Sequence, residues 1–312
     1  MKIDVIIPTY KPDDKLKKIF HMLAVQTVKV HKIIIMNTEE KYLNHQFSQG
    51  AYEEVAPIVE IHHITQEEFD HGFTRNEGAS YSQADVLVYM TQDAVPQDTH
   101  LLEELIKPFS DETVAVSYAR QVPDVNSSLA ECFARVFNYP DRDELKSAED
   151  LKRLGIKTYF CSNVCAAYRK PLFEEYGGFV KSTIFNEDMI FAAGVIKHGK
   201  KIAYASGAIV VHAHNYTNRQ QFKRNFDLAV SQAMHPEVFA GISSESEGIK
   251  YVCAAFRYFK ERGKGHLILP FVITCGWKYM GFRLGKNYDR LSRRRILKYT
   301  MSPRYFKKMW NN

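Results

Sequence analysis

The sequence predicts an α/β domain on a mainly parallel sheet flanked by helices, followed by a basic helical extension. Three observations predict it. Short apolar runs rich in β-branched residues, such as Lys32–Met36 and Val86–Met90, alternate with segments of helical period. These runs end in polar steps: Pro8-Thr9-Tyr10, Asn37-Thr38-Glu39 and Thr91-Gln92-Asp93. Open α/β sheets bind ligands beyond the carboxyl ends of their strands, where those steps fall. Finally, the charge is divided. The 312 residues carry 42 Lys/Arg and 36 Asp/Glu, a net +6, yet from Lys278 onward eleven basic residues face one acid, Asp289. The body is therefore mildly acidic and the tail is a separate, strongly basic object.

In chain order, Met1–Tyr10 reads as a strand ending in a Pro-Thr-Tyr turn. Pro12-Asp13-Asp14 opens a helix whose Leu16, Ile19, Phe20 and Leu23 share one face. Lys32–Met36 is a second strand and Val55–Ile61 a third, an alternation that implies right-handed crossovers. Thr74 and Glu77 form a T-x-x-E capping box, predicting a helix that starts at Thr74. That start places Arg75 and free backbone N–H groups at a positive helix end suited to an anion. Val86–Met90 is the next strand. A helix follows from about Asp98 to Phe109, with Leu101, Leu102, Leu105 and Ile106 inward, and then a strand from Val114 to Tyr118.

From Arg120 to Lys157 the pattern fades, and polar Asn138–Glu144 reads as a mobile loop beside a site. Thr158–Tyr168 regains strand character and Gly177-Gly178-Phe179 is a turn. Asn186-Glu187-Asp188 opens a helix that ends near Gly199. Lys201–Ala205 and Ala208–Val211 read as short strands leading to His212-Ala213-His214, and Arg219–Met234 as a helix. The expected division is a core over residues 1–235, with a donor half to about 118 and an acceptor half from 119, and an extension over 236–312.

A hydrophobic content of 45% supplies ample core. The five cysteines contain no C-x-x-C pair, and Cys161 and Cys165 have no second pair at zinc-finger spacing. Structural zinc is thereby excluded, and free buried thiols in a reducing cytosol are expected. The first residues run straight into a strand, without the features of a secretory leader. The longest apolar run, Leu267–Trp277, is about half of what a membrane span needs.

Asp93 stands where a carboxylate would hold a metal-diphosphate. Asp188 lies at a helix start, where the dipole favours its charge.

Six segments carry a resemblance to a known family, over roughly residues 3–230. They are Val5–Tyr10, Gly72–Gly78, Thr91–Ala94, Asn186–Asp188, His212–Tyr216 and Phe222–Asp227. In this order they resemble the family 2 glycosyltransferases of the GT-A fold, above all the bacterial rhamnosyltransferases of cell-surface polysaccharide synthesis. The resemblance implies a mixed, mainly parallel Rossmann-like sheet and a metal-dependent, inverting transfer. It makes Asp188 the general base. It assigns Pro8, Thr9, Tyr10, Asn37, Arg75, Gln92, Asp93, Glu187, Arg219 and Arg224 to the nucleotide-sugar site. Asp93 with His212 or His214 would hold Mg²⁺ or Mn²⁺; as an i, i+2 pair on a strand, both histidines would point to one face. The family usually has D-x-D where this chain has Thr91-Gln92-Asp93, so one metal-binding carboxylate is missing. It usually has an Asp where this chain has Asn37-Thr38-Glu39.

The implied donor is dTDP-rhamnose and the implied acceptor a lipid-diphosphate-linked saccharide at the inner face of the plasma membrane. The alternatives are a hexosyl or N-acetylhexosaminyl transfer from a UDP-sugar, and an inactive assembly subunit. A sugar-nucleotide pyrophosphorylase is opposed by the absence of glycine from Pro8–Pro12. In the tail, Leu284, Tyr288 and Leu291, with Tyr305, Phe306, Met309 and Trp310, read as amphipathic faces for an anionic membrane surface. Packing on the body or a homodimer contact is the competing use. No nucleic-acid module is present.

Overall fold

The computed structural model describes residues 1–43, 53–241 and 245–311. It forms two compact units. The first comprises residues 1–125, 138–182 and 187–213, and the second 126–137, 183–186 and 214–312.

The first unit is a mixed sheet with helices. Its elements are β1 (Ile3–Tyr10), α1 (Asp14–Ala24), β2 (Lys32–Thr38), β3 (Val59–Ile64), α2 (His71–Ser80), β4 (Val86–Met90), β5 (Val95–Pro96) and α3 (Leu101–Ile106). Then come β6 (Val114–Val122), β7 (Glu144–Lys146), α5 (Leu151–Leu154), β8 (Cys165–Arg169), α6 (Lys170–Glu175), α7 (Glu187–Lys197) and β9 (Lys201–Val211). The strand order is β3-β2-β1-β4-β8-β6-β9-β5, with β7 also on β9. β3, β2, β1 and β4 run parallel, as do β6 and β9, while β8 lies antiparallel between β4 and β6. β2 shows no apolar/polar alternation because Ile33, Ile34, Ile35 and Met36 are all fully buried, as expected where both faces are covered. The predicted face of α1 (Leu16, Ile19, Phe20, Leu23) is buried, and Asp13 caps the helix by accepting from Lys15 N at 2.9 Å. Because β1 lies between β2 and β4, the connections diverge there and leave a crevice at the carboxyl ends of β1 and β4.

Several expected boundaries move. Val55–Ile58 is not strand: residues 56–58 form a 3₁₀ turn and β3 begins at Val59, because Pro57 cannot donate to a ladder. Residues 155–159 are 3₁₀, so β8 is confined to Cys165–Arg169. The two short late strands are one strand, β9, which crosses a register irregularity against Ala119 and Arg120. Residues 138–144 are tied down rather than loose: Gln121 Nε2 donates to the Tyr139 hydroxyl at 2.6 Å, and Asp143 accepts from Ser206 N at 2.7 Å. All five cysteines are free, but only Cys161 and Cys165 are buried, and Cys253 is exposed.

The second unit is helical: α4 (Leu129–Asn138), α8 (Asn218–Met234), α9 (Pro236–Phe239), α10 (Glu245–Glu261), α11 (Ile268–Lys286), α12 (Arg293–Tyr299) and α13 (Pro303–Asn311). One core gathers Phe133, Ala255, Phe259 and Phe271, and another Phe226, Val230, Ile296 and Phe306. The Phe222–Asp227 segment builds this unit. Gly281 and Gly285 of α11 meet the carbonyls of Phe222 and Phe226, an approach that a Cβ would block. Asp227 accepts from Met301 N at 2.8 Å and Lys223 donates to the Thr300 carbonyl at 3.1 Å, clasping the C-terminal segment. Burial pushes the Asp227 carboxyl up to about 6. The expected lipid-facing residues Leu284, Tyr288, Leu291, Tyr305, Phe306, Met309 and Trp310 instead pack around Phe226 and Ile296. Their apolar spacing was satisfied by this core. No helix among the described residues is long and apolar enough to cross a membrane.

Candidate active site

Three groups of side chains gather at the carboxyl edge of the sheet. At the end of β1, Tyr10 is half exposed and meets Tyr42 edge-on, with ring centroids 5.4 Å apart. Lys11 lies over both rings. Gln92 pairs with the Tyr10 backbone, its Oε1 accepting from Tyr10 N at 2.8 Å and its Nε2 donating to Tyr10 O at 3.0 Å. The middle residue of Thr91-Gln92-Asp93 therefore straps β1 to β4 across the crevice. Thr9 donates to Asn37 Oδ1 at 3.0 Å, and the Asn37 amide meets His63 Nδ1 at 3.0 Å. Asn37 is fully buried. It holds the strand ends from beneath, while Glu39, at φ 66°, lies at the partly open edge. Pro8 is half-buried between them.

The second group is Asp93 and His212. Asp93 Oδ2 stands 3.6 Å from His212 Nε2. The Gln121 amide donates to Tyr139 and to Ser162 Oγ, so its Oε1 is the acceptor facing His212 Nδ1 at 3.0 Å. This network places a proton on Nδ1, so Nε2 is the ring nitrogen that faces Asp93. Two ligands on one first-row cation, at about 2.0–2.2 Å each, stand roughly 3–4 Å apart, so this pair fits a divalent ion. The histidines do not lie on a strand, because β9 ends at Val211. His214 belongs to the second unit.

The third group surrounds Asp188. The capping-box expectation fails here: α2 begins at His71, and Asp70 is its cap, accepting from Gly72 N and Phe73 N at 3.0 and 2.8 Å. Asp70 wins because its carboxylate reaches two first-turn donors at once. Arg75 is consequently one turn inside the helix and buried. It pairs with Glu187 at 3.4 Å, donates to the His71 carbonyl at 2.9 Å, and its buried Nε has no hydrogen-bond partner among the described residues. Gly72 touches the Val180 carbonyl where no Cβ fits, and Asn76 bonds both backbone groups of Phe179. The Gly72–Gly78 motif thus docks α2 onto the 179–180 turn.

Glu187 and Asp188 form the first turn of α7, after Asn186 at φ 64°, a conformation Asn tolerates well. Asn163 holds both acids. Its N–H donates to Asp188 Oδ2 at 3.0 Å and its amide to Glu187 Oε1 at 3.2 Å, while Tyr168 fixes its own oxygen at 2.7 Å. Burial opposes the charged form of Glu187, but Arg75, His71 and Asn163 outweigh it and hold the carboxyl below its ordinary value. Asp188 goes the other way: burial, reinforced by the Glu187 charge, pushes it up to about 7. Two adjacent carboxylates with diverging proton affinities are the signature of divided labour.

Sequence reasoning missed Asn163 and Gln121. The signal for Asn163 was present: polar Cys161-Ser162-Asn163 interrupts the run read as strand. Gln121, on β6, had none. It touches His212 and Ser162, and Ser162 precedes Asn163, so one relay joins the Asp93–His212 pair to Asp188. Lys146, buried and lowered to about 8 by burial, secures the segment before it by donating to the Lys157 and Phe160 carbonyls. Arg219 is exposed in the second unit, and Arg224 there lies over the rings of Phe185 and Tyr216, at 4.7 and 5.8 Å.

Two adjacent carboxylates and an aspartate–imidazole pair thus stand at the carboxyl edge of a GT-A-like sheet. The chain belongs to glycosyl transferase family 2, whose model matches residues 4–177, and is a glycosyltransferase. It is 34% identical to the O-antigen chain rhamnosyltransferase RfbN of Salmonella typhimurium, over 100% of this chain and 97% of that one. It is 36% identical to the O-antigen chain rhamnosyltransferase WbaN of Salmonella anatum, over 99% and 95%. The fold is similar to that of S. aureus TarS (residues 1–349), at TM-score 0.55, 13% identity and coverage of 93% and 91%. It is also similar to mannosyltransferase PcManGT of Pyrobaculum calidifontis, solved with GDP-Man and Mn²⁺, at TM-score 0.59, 12% identity and coverage of 93% and 88%.

Proposed function

We propose that this glycosyltransferase moves L-rhamnose from dTDP-rhamnose to a lipid-diphosphate-linked saccharide in O-antigen synthesis, with inversion, at the inner face of the plasma membrane. The end-to-end identity with two O-antigen rhamnosyltransferases carries this reading. The geometry supplies a mechanism consistent with it. The acceptor hydroxyl attacks the anomeric carbon, its proton passes to a carboxylate oxygen of Asp188, and the bond to the nucleoside diphosphate breaks. Glu187 stays charged beside Arg75 and keeps Asp188 basic enough for that proton. Asn163 orients both acids. Tyr10, with Tyr42, offers the base an aromatic surface, and Thr9, Asn37 and Gln92 hold that edge in place.

Asp93 and His212, with His214 two residues on, would hold Mg²⁺ or Mn²⁺. A divalent cation held there would neutralise the charge that develops on the leaving diphosphate. Chelation is expected to abolish transfer and Mn²⁺ or Mg²⁺ to restore it. Asp93→Asn should raise the metal concentration for half-maximal activity by at least about 10–100-fold, the loss that removing even an outer-shell partner of a metal ligand causes. Equal activity in chelator and in metal would remove the cation from the mechanism.

The function itself is tested by assaying purified protein against a panel of nucleotide sugars with a synthetic lipid-diphosphate saccharide. Product with dTDP-rhamnose alone is expected. Turnover of a UDP-hexose instead would replace the donor, and transfer from none would sink the catalytic reading.

A further inference from the structure

Among the described residues, the second unit carries one helix whose exposed face is apolar almost without interruption. α11 packs inward through Phe271, Lys278, Gly281 and Gly285: Phe271 joins the Phe133 core, Lys278 lies over the Tyr251 ring, and the two glycines rest on α8. On the opposite side, Leu269, Val272, Ile273, Trp277 and Met280 are between 38% and 68% exposed. Their spacing of i, i+3, i+4, i+8 and i+11 puts them on a single stripe. Tyr279 and Arg283 flank it, both exposed. The helix contains no Asp or Glu. An apolar stripe of this extent marks a surface that is covered in use.

We infer that the stripe on α11 docks the protein on an anionic bilayer, lying flat at the headgroup–acyl boundary. This deepens the reading above by naming the surface that meets the membrane of the lipid-linked acceptor. Three observations select a bilayer. Arg283 and Lys286 within the helix, and the absence of a membrane-crossing helix among the described residues, fit a segment that lies on a membrane rather than through it. Trp277 and Tyr279 are the side chains that favour such a boundary. The chain from Lys278 onward carries eleven basic residues against one acid, complementary to anionic lipid. The same charge disfavours a second copy on this face, which would bring two such segments together.

The test uses the full chain with vesicles of phosphatidylethanolamine containing phosphatidylglycerol, and with phosphatidylcholine vesicles as control. The chain has two tryptophans, so Trp310→Phe leaves Trp277 as the sole reporter. Its emission should shift to the blue with anionic vesicles and be quenched by brominated acyl chains. Replacing Val272, Ile273 and Trp277 together by serine should weaken vesicle partition by about tenfold or more, because partition scales with buried apolar area. Transfer to a soluble acceptor analogue should be unchanged. The pair Leu269→Ser and Met280→Ser provides a second variant if the first misfolds. Undiminished partition in both variants, or an unshifted and unquenched Trp277, would overturn the assignment. So would a doubled sedimentation mass that buries Trp277 without lipid, which assigns the face to a second copy. Vesicle docking by a protein that transfers no sugar would refute the proposed function and leave this surface standing.

Discussion

Asp188→Asn is expected to lower kcat/KM by about 10²–10⁴-fold, the range for a lost general base, with little change in donor affinity. The substitution is nearly isosteric, but the two carboxylate oxygens accept from different donors, Asn163 N and Met189 N, and the single amide oxygen replaces only one of them. Circular dichroism and urea unfolding should show a native protein, which separates the lost rate from any loss of folding. The pH dependence gives an independent reading. Burial, with the Glu187 charge, raises Asp188 to about 7. Below that value the base is protonated, so kcat/KM in the parent should fall toward tenfold per pH unit. The linked stability effect has the opposite direction. The folded state binds a proton between about pH 4 and 7 that the unfolded chain does not. The parent should therefore gain unfolding free energy as pH falls through that window, and the Asn variant should not. An Asn variant with full activity would remove Asp188 as the base.

Arg75→Leu is expected to destabilise the fold by about 3–5 kcal/mol, because it leaves the Glu187 charge buried and unpaired. Both residues are buried and 3.4 Å apart. Urea unfolding measures this. The double variant Arg75→Leu, Glu187→Leu should lose less than the two single losses combined, since neither charge is then stranded. The two members of this ion pair also predict shifts of the acid limb in opposite directions. Glu187→Gln removes a like charge and should move it to lower pH. Arg75→Leu removes a charge that lowers Asp188 and should move it to higher pH. An acid limb that stays put in both variants would mean that the pair serves stability alone.

Buried strands were legible because Ile33–Met36 and Val86–Met90 have only one way to bury continuous apolar runs. α1 was legible to its cap, Asp13. Boundaries set by competing local interactions were not. Thr74 and Glu77 satisfied a capping pattern, but Asp70 reached two donors and moved the helix start, taking Arg75 from an anion site into an ion pair. The apolar tail residues had two uses that look alike in one dimension, a membrane and a core. Packing around Phe226 and Ile296 chose the core, while the exposed stripe lay one helix earlier.

By itself, the sequence determined the strand succession and the polar strand ends, and its family resemblance pointed to Asp93, Asp188 and one of His212 and His214 as candidates. The strands and their ends depend on periodicity and residue type, which a linear chain carries in full. Only the tertiary structure decided what those residues meet. Asn163 lies 25 residues from Asp188, and Gln121 lies 91 from His212. Contacts at such separations, and the burial that sets each proton affinity, arise only when strands distant in sequence become neighbours in the sheet. The poised acidity of Asp188 is therefore a property of the fold.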